Sequence, residues 1–520
     1  MPQTPVLCRL APADKIKYTT YTMKVFNIVL ALVAGIAMVP ICLADEYEDT
    51  VATAAAYIAN AYNTPLAYQA SIKGLVAIMD DDKLPVEKKI AQIKDKYKPA
   101  WENGAIPGQQ EFGRGDAYYS LAQYYRDCGR DGEWRKWFVA AAEAGSAAAQ
   151  LRLAECHAGG LDGFRQSSSE MFKWYVKAAE NGVVKAQCEV GNCYNDGIGT
   201  LKSDFEAVKW YEKAAVQGYA EAQFYLGLFH ANGRGVESDV FEAAQWYRLS
   251  ANEVGGSAFN LALLYDKGSL GRRDPVKAFR WYRKAAEMDV SDAQWNLALC
   301  YLNGDGTGKD NEMGLEWLRK AAANGVDDAQ YKLGCVYEEG ALVPRNMVEA
   351  AKWYAEAANA GNAQAQFSLA KCYVMGEGVS QNYAMAVRWL RPVAEKGSAN
   401  AQYLLGLCYE NGQGVEYDMR EAAKWYLNAA NQGHVDAQVA LGKCYLTGSG
   451  MKMDCARAVE LFRKAIDAGN VEACYLLGKC YLHGYGVPMD EIIATRYYRD
   501  AARRGNSDAQ REMRNQNIDW

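Results

Sequence analysis

The sequence predicts an all-α protein, a solenoid of stacked helix pairs. Three observations predict it. A motif built on Ala-Gln recurs every 35–37 residues along most of the 520-residue chain. Each copy carries two stretches of helical hydrophobic spacing separated by a glycine turn. A lone helix pair cannot bury its apolar face, whereas stacked pairs can, each touching only its neighbours. Composition agrees: 50% of residues are apolar and 23% charged, which excludes a disordered polymer. The 57 basic and 63 acidic residues leave a net charge of −6, no basis for general nucleic-acid binding. Four histidines leave little room for histidine-based metal sites or acid–base chemistry.

The chain begins with 22 residues of no pattern before a second methionine, Met23; residues 1–22 read as an upstream-start artefact. Residues 25–44 are almost entirely apolar, preceded by Lys24 and followed by Asp45-Glu46. Basic, apolar and then small residues (Cys42, Ala44) is the order of a signal peptide, here 23–44, cut after Ala44. Pro40 near the cut site favours cleavage. The alternative is an uncleaved N-terminal anchor, since this run just reaches the length that crosses a bilayer. Either way an extracytoplasmic location is expected, periplasmic or secreted. Membrane contact is expected only through that transient signal or anchor. Residues 45–116 do not repeat and read as a helical leader, with stretches near 47–62, 66–80 and 85–98 and a connector at 103–115. A leader packed on the first repeat and a separate partner-binding helix both fit.

Repeats occupy 117–508, eleven of about 36 residues with the first one shortened, and a capping helix follows at 509–520. The register is set by Ala149-Gln150, Ala186-Gln187, Ala222-Gln223, Ala293-Gln294, Ala329-Gln330, Ala365-Gln366, Ala401-Gln402, Ala437-Gln438 and Ala509-Gln510. Ser257-Ala258 and Ala473-Cys474 fill the gaps. In the repeat at 401–436, Ala401, Leu405, Cys408 and Tyr409 share one helix face. Gly412-x-Gly414 ends that helix. A second helix over roughly 418–431 turns Ala422, Trp425, Tyr426 and Ala429 inward. The first repeat lacks the glycine turn, and the last stub replaces the core Leu-Gly with Met513-Arg514, as capping ends should.

These features, A-Q, L-G, Tyr at the eighth position after the alanine, G-x-G-V and K-W-Y-x-K-A-A-x-x-G, closely resemble the Sel1-like repeat family. That family is related to the tetratricopeptide repeat. The resemblance covers about three-quarters of the chain. It implies a right-handed α-solenoid and a protein–protein scaffold. It also implies a groove on the concave face, lined by the second, sixth, ninth and tenth positions after the alanine. The second position holds Phe224, Phe259, Trp295, Tyr331, Phe367, Tyr403, Val439 and Tyr475. Such a row with a polar rim suits an extended peptide or a helix; packing between repeats is the other use of the same rings. Six arginines near the C-terminus, Arg496 to Arg514, read as a solvated face or an acidic-partner site.

Seven repeats carry Cys at the seventh position: Cys156, Cys193, Cys300, Cys372, Cys408, Cys444 and Cys480. Equivalent positions lie about 8–10 Å apart, too far for a disulfide. Cysteine-rich relatives bridge each second helix to the next first helix; here the partner positions mostly hold alanine, as at Ala429 and Ala465. Cys128, Cys188, Cys335, Cys455 and Cys474 lie off this ladder and leave room for one irregular bridge.

Reports of β-lactam binding or hydrolysis among cysteine-rich relatives direct attention to Ser368-x-x-Lys371, but the Ser-Asp-Asn and Lys-Thr-Gly partners are absent from the chain. Gly304–Lys309 has neither phosphate-loop nor EF-hand spacing. His157 and His230 stand where other repeats have the eighth-position tyrosine. No metal site, cofactor or catalytic constellation is expected. The sequence predicts an exported scaffold binding a protein or peptide in its groove. A weak β-lactam-type hydrolase or penicillin-binding activity, by family analogy, and a structural surface spacer are the alternatives.

Overall fold

The structure, a computed structural model, describes residues 83–96 and 131–515 with single positions at 46, 47, 50, 53, 54, 78, 115, 118, 119, 122, 126, 518 and 519. The expected signal peptide, residues 1–22, most of the leader, and Cys8, Cys42 and Cys128 lie outside the described residues. Among the described residues there are 23 helices and no strand. None of those helices is long and apolar enough to cross a membrane. The chain forms two compact units, residues 1–264 and 265–520.

The first unit contains α1 (Val86–Lys96), α2 (Asp131–Glu143), α3 (Ala147–Gly159), α4 (Ser168–Glu180), α5 (Val184–Asp196), α6 (Asp204–Ala215), α7 (Ala220–Asn232) and α8 (Val240–Ser250). The division falls within α9 (Gly255–Lys267). The second unit continues with α10 (Pro275–Glu287), α11 (Ser291–Asn303), α12 (Asn311–Ala323), α13 (Asp327–Glu339), α14 (Met347–Ala360), α15 (Ala363–Met375) and α16 (Tyr383–Glu395). It ends with α17 (Ala399–Asn411), α18 (Met419–Asn431), α19 (Val435–Thr447), α20 (Cys455–Asp467), α21 (Val471–His483), α22 (Glu491–Arg503) and α23 (Ser507–Asn515). From α3 onward the odd helices are the first of each pair and the even ones the second. Neighbours in sequence pack on each other within each unit, the arrangement of an α-solenoid.

The pair α17/α18 shows why the sequence folds this way. Gly412 takes φ 64°, the left-handed conformation, and its N–H closes α17 on the Cys408 carbonyl. A Cβ on Gly414 would lie 2.4 Å from the Tyr383 carbonyl oxygen, so the turn seats on the start of the preceding second helix. The Asp418 side chain then caps α18, accepting from Arg420 N–H at 2.8 Å and Glu421 N–H at 3.2 Å. The Asp418 N–H donates to the Tyr409 carbonyl at 3.1 Å, which fixes the angle between the helices. Ala401, Leu405, Cys408, Ala422, Tyr426 and Ala429 are buried as expected. Tyr409 and Trp425 differ: both are half-buried, because adjacent residues on a helix point about 100° apart and Tyr426 takes the inward direction.

The glutamine of the Ala-Gln pair has a structural task. Gln402 Nε2 donates to the Ala394 carbonyl at 2.9 Å, and its Oε1 accepts from Gln432 at 2.8 Å, thirty residues on. Gln150, Gln187 and Gln294 do the same with Asn181, Gln217 and Asn324. Each such glutamine ties the end of one second helix to the end of the next.

In the first unit, Tyr47, Ala54, Ile90 and Ile93 share one buried cluster with Trp134, Trp137 and Phe138 of α2. Met513 of α23 is fully buried in the position of the core leucine, while Arg514 is exposed.

Candidate functional site

The expected row of rings lies on the first helices. Phe224 and Phe259 in the first unit are half-buried, as are Trp295, Tyr331, Phe367, Tyr403 and Tyr475 in the second. Val439 is buried at 3%. Several rings pack one side on the buried ring of the following second helix: Phe224 on Tyr247 at 6.3 Å, Tyr331 on Tyr354 at 5.7 Å, Tyr403 on Tyr426 at 5.9 Å and Tyr475 on Tyr498 at 5.6 Å. Packing and exposure are therefore properties of the same residues.

In the second unit three of these rings floor an open groove. Its larger section, about 550 Å³, runs from Tyr331 and Glu338 to Phe367 and Lys371. Its smaller section, about 260 Å³, continues past Phe367 and Lys371 to Tyr403, His434 and Asp436. His434 is held in place: its ring stacks on Tyr403 at 4.8 Å and its Nδ1 accepts from Ala437 N–H at 3.2 Å, capping α19.

The groove's acids are partly committed to the fold. The Tyr354 hydroxyl donates to Glu338 and the Tyr426 hydroxyl to Glu410, both short contacts; the Tyr282 hydroxyl donates to Asp266 at 3.2 Å. These carboxylates occupy the ninth position, one of those expected to line the groove. Where the second helix carries Leu318, Leu390 or Phe462 instead of tyrosine, the ninth position is Leu302, Val374 or Leu446. An acid there takes up the hydroxyl in the repeats of Tyr282, Tyr354 and Tyr426, whereas Tyr211 donates to Asn192 at 2.8 Å and Tyr247 and Tyr498 have Ala231 and Leu482 at that position.

Ser368 and Lys371, set aside in the sequence as ordinary repeat positions, both line the groove. Ser368 hydrogen-bonds the Tyr331 hydroxyl. Burial, with Cys335 beside it, pushes Tyr331 up to about 12, so it is a neutral donor at neutral pH. Cys335 is the groove's cysteine and is half-buried. The seven ladder cysteines, and Cys188 and Cys474, are buried free thiols; Cys335 and Cys455 are free and partly exposed. Burial pushes Cys372, Cys408, Cys444 and Cys480 up to about 11, so they behave as small apolar residues. Among the described residues no group of three or more His, Cys, Asp and Glu is arranged to hold a metal ion.

His157 is half-buried, with Nδ1 3.0 Å from the Arg165 carbonyl oxygen; His230 is buried, with Nδ1 3.6 Å from Glu242. At the C-terminal end, Arg511 pairs with Asp508 at 2.9 Å and Arg504 with Asp500 at 3.5 Å, so part of that charge is locally compensated.

Comparison with known proteins follows the repeats. The Sel1 repeat model matches ten segments: 147–183, 184–219, 220–253, 256–290, 291–326, 327–362, 363–398, 399–434, 435–470 and 471–506. One similar solved structure is c5321, a protective antigen present in uropathogenic Escherichia coli strains and displaying an SLR fold. It is 31% identical, with 78% of this chain and 88% of that chain covered and a TM-score of 0.66. A Sel1 repeat protein from Oxalobacter formigenes is 32% identical over 59% of this chain and 89% of its own, with a TM-score of 0.43. No curated protein sequence matches.

Proposed function

Because this chain belongs to the Sel1 repeat family, we propose that it is an exported scaffold that holds a protein or peptide segment in the groove of its second unit. The observation that supports this reading is the run of three half-buried rings, Tyr331, Phe367 and Tyr403, lining two adjoining open hollows that share Phe367, Lys371 and Asn400. Rings already fixed by packing lose little further freedom on contact, so they suit recognition. Trp295 and Tyr475 extend the row on either side, and Phe224 and Phe259 offer similar rings in the first unit. Presentation of a surface, not bond chemistry, is the mechanism: the groove binds and orders a segment of another chain. Export rests on the apolar stretch at 25–44.

The test is affinity capture from an extracytoplasmic extract with the wild-type chain and a variant carrying Trp295, Tyr331, Phe367 and Tyr403 changed to Ala. Circular dichroism first establishes that both are folded. A partner kept by the wild type and lost by the variant is the expected result. The same partners held equally by both would remove the groove from the mechanism.

A further inference from the structure

One cation stands in the middle of the groove. Lys371 lines both sections, together with Phe367 and Asn400. It sits at the sixth position after the repeat alanine. In two other repeats that position pairs with the residue just before the next repeat's alanine, Glu155 with Lys185 at 2.8 Å and Lys443 with Glu472 at 2.5 Å, while Lys479 and Asp508 at the same positions do not pair. By the same spacing Lys371 meets Asn400, an amide.

The residues before the alanine vary in a telling order along the second unit. They are Asp292, Asp328, Gln364, Asn400, Asp436, Glu472 and Asp508. The acid is replaced by an amide only at Gln364 and Asn400, and these two line the groove. The flanking acids are engaged: Asn362 donates to Asp328 at 3.0 Å and Asn470 to Asp436 at 3.2 Å. Among the described residues no carboxylate comes within ion-pair distance of Lys371; Gln364, Asn400 and Ser368 line the groove with it, and the acids Glu338, Glu339 and Asp436 line the groove on the repeats before and after. A half-buried cation with donors around it and aromatic walls on either side is complementary to a carboxylate.

We propose that Lys371, with Asn400 and Gln364, anchors an Asp or Glu side chain inside an extended segment that runs through the groove. The groove opens on both sides of Lys371, about 550 Å³ toward Tyr331 and about 260 Å³ toward Tyr403, so the chain passes through and does not end there. Glu338 and Glu339 on the repeat before, and Asp436 on the repeat after, select against acids at those places and favour basic residues. At ~3.3 Å per extended residue and ~10 Å per repeat, the matching residues lie about three apart on the bound chain. This inference rests on the groove reading above.

The test uses the full chain and fluorescein-labelled, C-terminally amidated peptide pools of about eleven residues, a length that spans ~30 Å or more. One pool fixes Glu at the centre between Leu, Ile, Val and Phe. A second fixes Gln there. A third is truncated after the central Gln and left unamidated, so that its free α-carboxylate falls at that position. The Glu pool should bind the wild type about tenfold tighter than the Gln pool, equivalent to about 1.4 kcal/mol. That advantage should vanish in Lys371→Gln and persist in Lys371→Arg. Equal binding of the Glu and Gln pools, or an advantage that survives Lys371→Gln, overturns the anchor while leaving the groove reading intact. A stronger preference for the free carboxylate overturns the internal-residue assignment. If no pool binds, or if Tyr331→Ala with Tyr403→Ala changes nothing, the groove reading itself falls.

Discussion

Gly406 and Tyr426 offer a test in which one substitution changes sign. A Cβ on Gly406 would lie 2.5 Å from Tyr426 Cε1 and 2.7 Å from Cδ1. Carbon–carbon contacts are comfortable near 3.5–4.0 Å, so the ring must move by about 1 Å. Tyr426 is fully buried and its hydroxyl is tied to Glu410, so the ring has little room. Overpacking of this kind costs about 1–3 kcal/mol. Replacing glycine by alanine within a helix gains about 1 kcal/mol, which leaves Gly406→Ala destabilising by about 1 kcal/mol. Two repeats carry the relieved pair: Ala298 with Leu318 and Ala370 with Leu390, all buried. In a Tyr426→Leu background, therefore, Gly406→Ala should stabilise by about 1 kcal/mol, because only the helix gain remains. Alanine also precedes tyrosine at the equivalent positions Ala154/Tyr175 and Ala262/Tyr282, which keeps the overpacking cost below the top of that range. Guanidinium unfolding of the four proteins, followed by circular dichroism, gives the double-mutant cycle. If alanine destabilises equally in both backgrounds, the ring contact is not what keeps position 406 glycine.

Three further outcomes follow from the same structure. Gln366 Oε1 is buried without a partner, and the place occupied by Gln432 in the next repeat holds the exposed Lys396. Lys396→Gln should supply the missing donor and raise stability by about 0.5–1 kcal/mol in urea titration. Stability should fall as pH rises from 9 toward 11: Cys372, Cys408, Cys444 and Cys480 stay protonated when folded but ionise near 9 when unfolded, so the unfolded state binds fewer protons in that window. Thermal melts at pH 8 and 10 read this directly, and Cys408→Ala with Cys444→Ala should shallow the slope. Finally, a chromogenic β-lactam should not be turned over by the purified chain, since Ser368 lacks the Ser-Asp-Asn and Lys-Thr-Gly partners; turnover abolished by Ser368→Ala would reverse that expectation.

The helix pairs were legible in the sequence because the features that make them are local. Gly412 needs a left-handed backbone, Asp418 caps the next helix, and Ala422 and Tyr426 follow the helical period. The row from Phe224 to Tyr475 was legible for the same reason. Its division into open and filled stretches was not. The groove depends on Val393 from a second helix and Ser398 at a cap as well as on the rings, so its depth arises from several repeats at once. The use of Glu338 and Glu410 was hidden because their partners lie sixteen residues away on another helix. Lys371 stood out in the sequence only beside Ser368; the pairing of Lys443 with Glu472 shows a counter-charge that Asn400 does not give it.

The glutamine tie has a consequence for how the stack holds together. In a one-dimensional array, cooperativity is set by the nearest-neighbour interfaces, and the weakest interface decides where the array opens first. Gln330 and Gln366 have buried carbonyl oxygens without a donor, since Ala360 and Lys396 stand where Gln402 finds Gln432; Gln438, with Ala468 at that place, lacks the tie too. Gln330 and Gln366 belong to the two repeats that carry Tyr331 and Phe367. Amide exchange in α13 to α16 should then run ahead of that in α17 and α18, which Gln402 and Gln432 tie. The part of the groove formed by Tyr331 and Phe367 lies on joints without this tie, so a segment bound there would act as a splint across them.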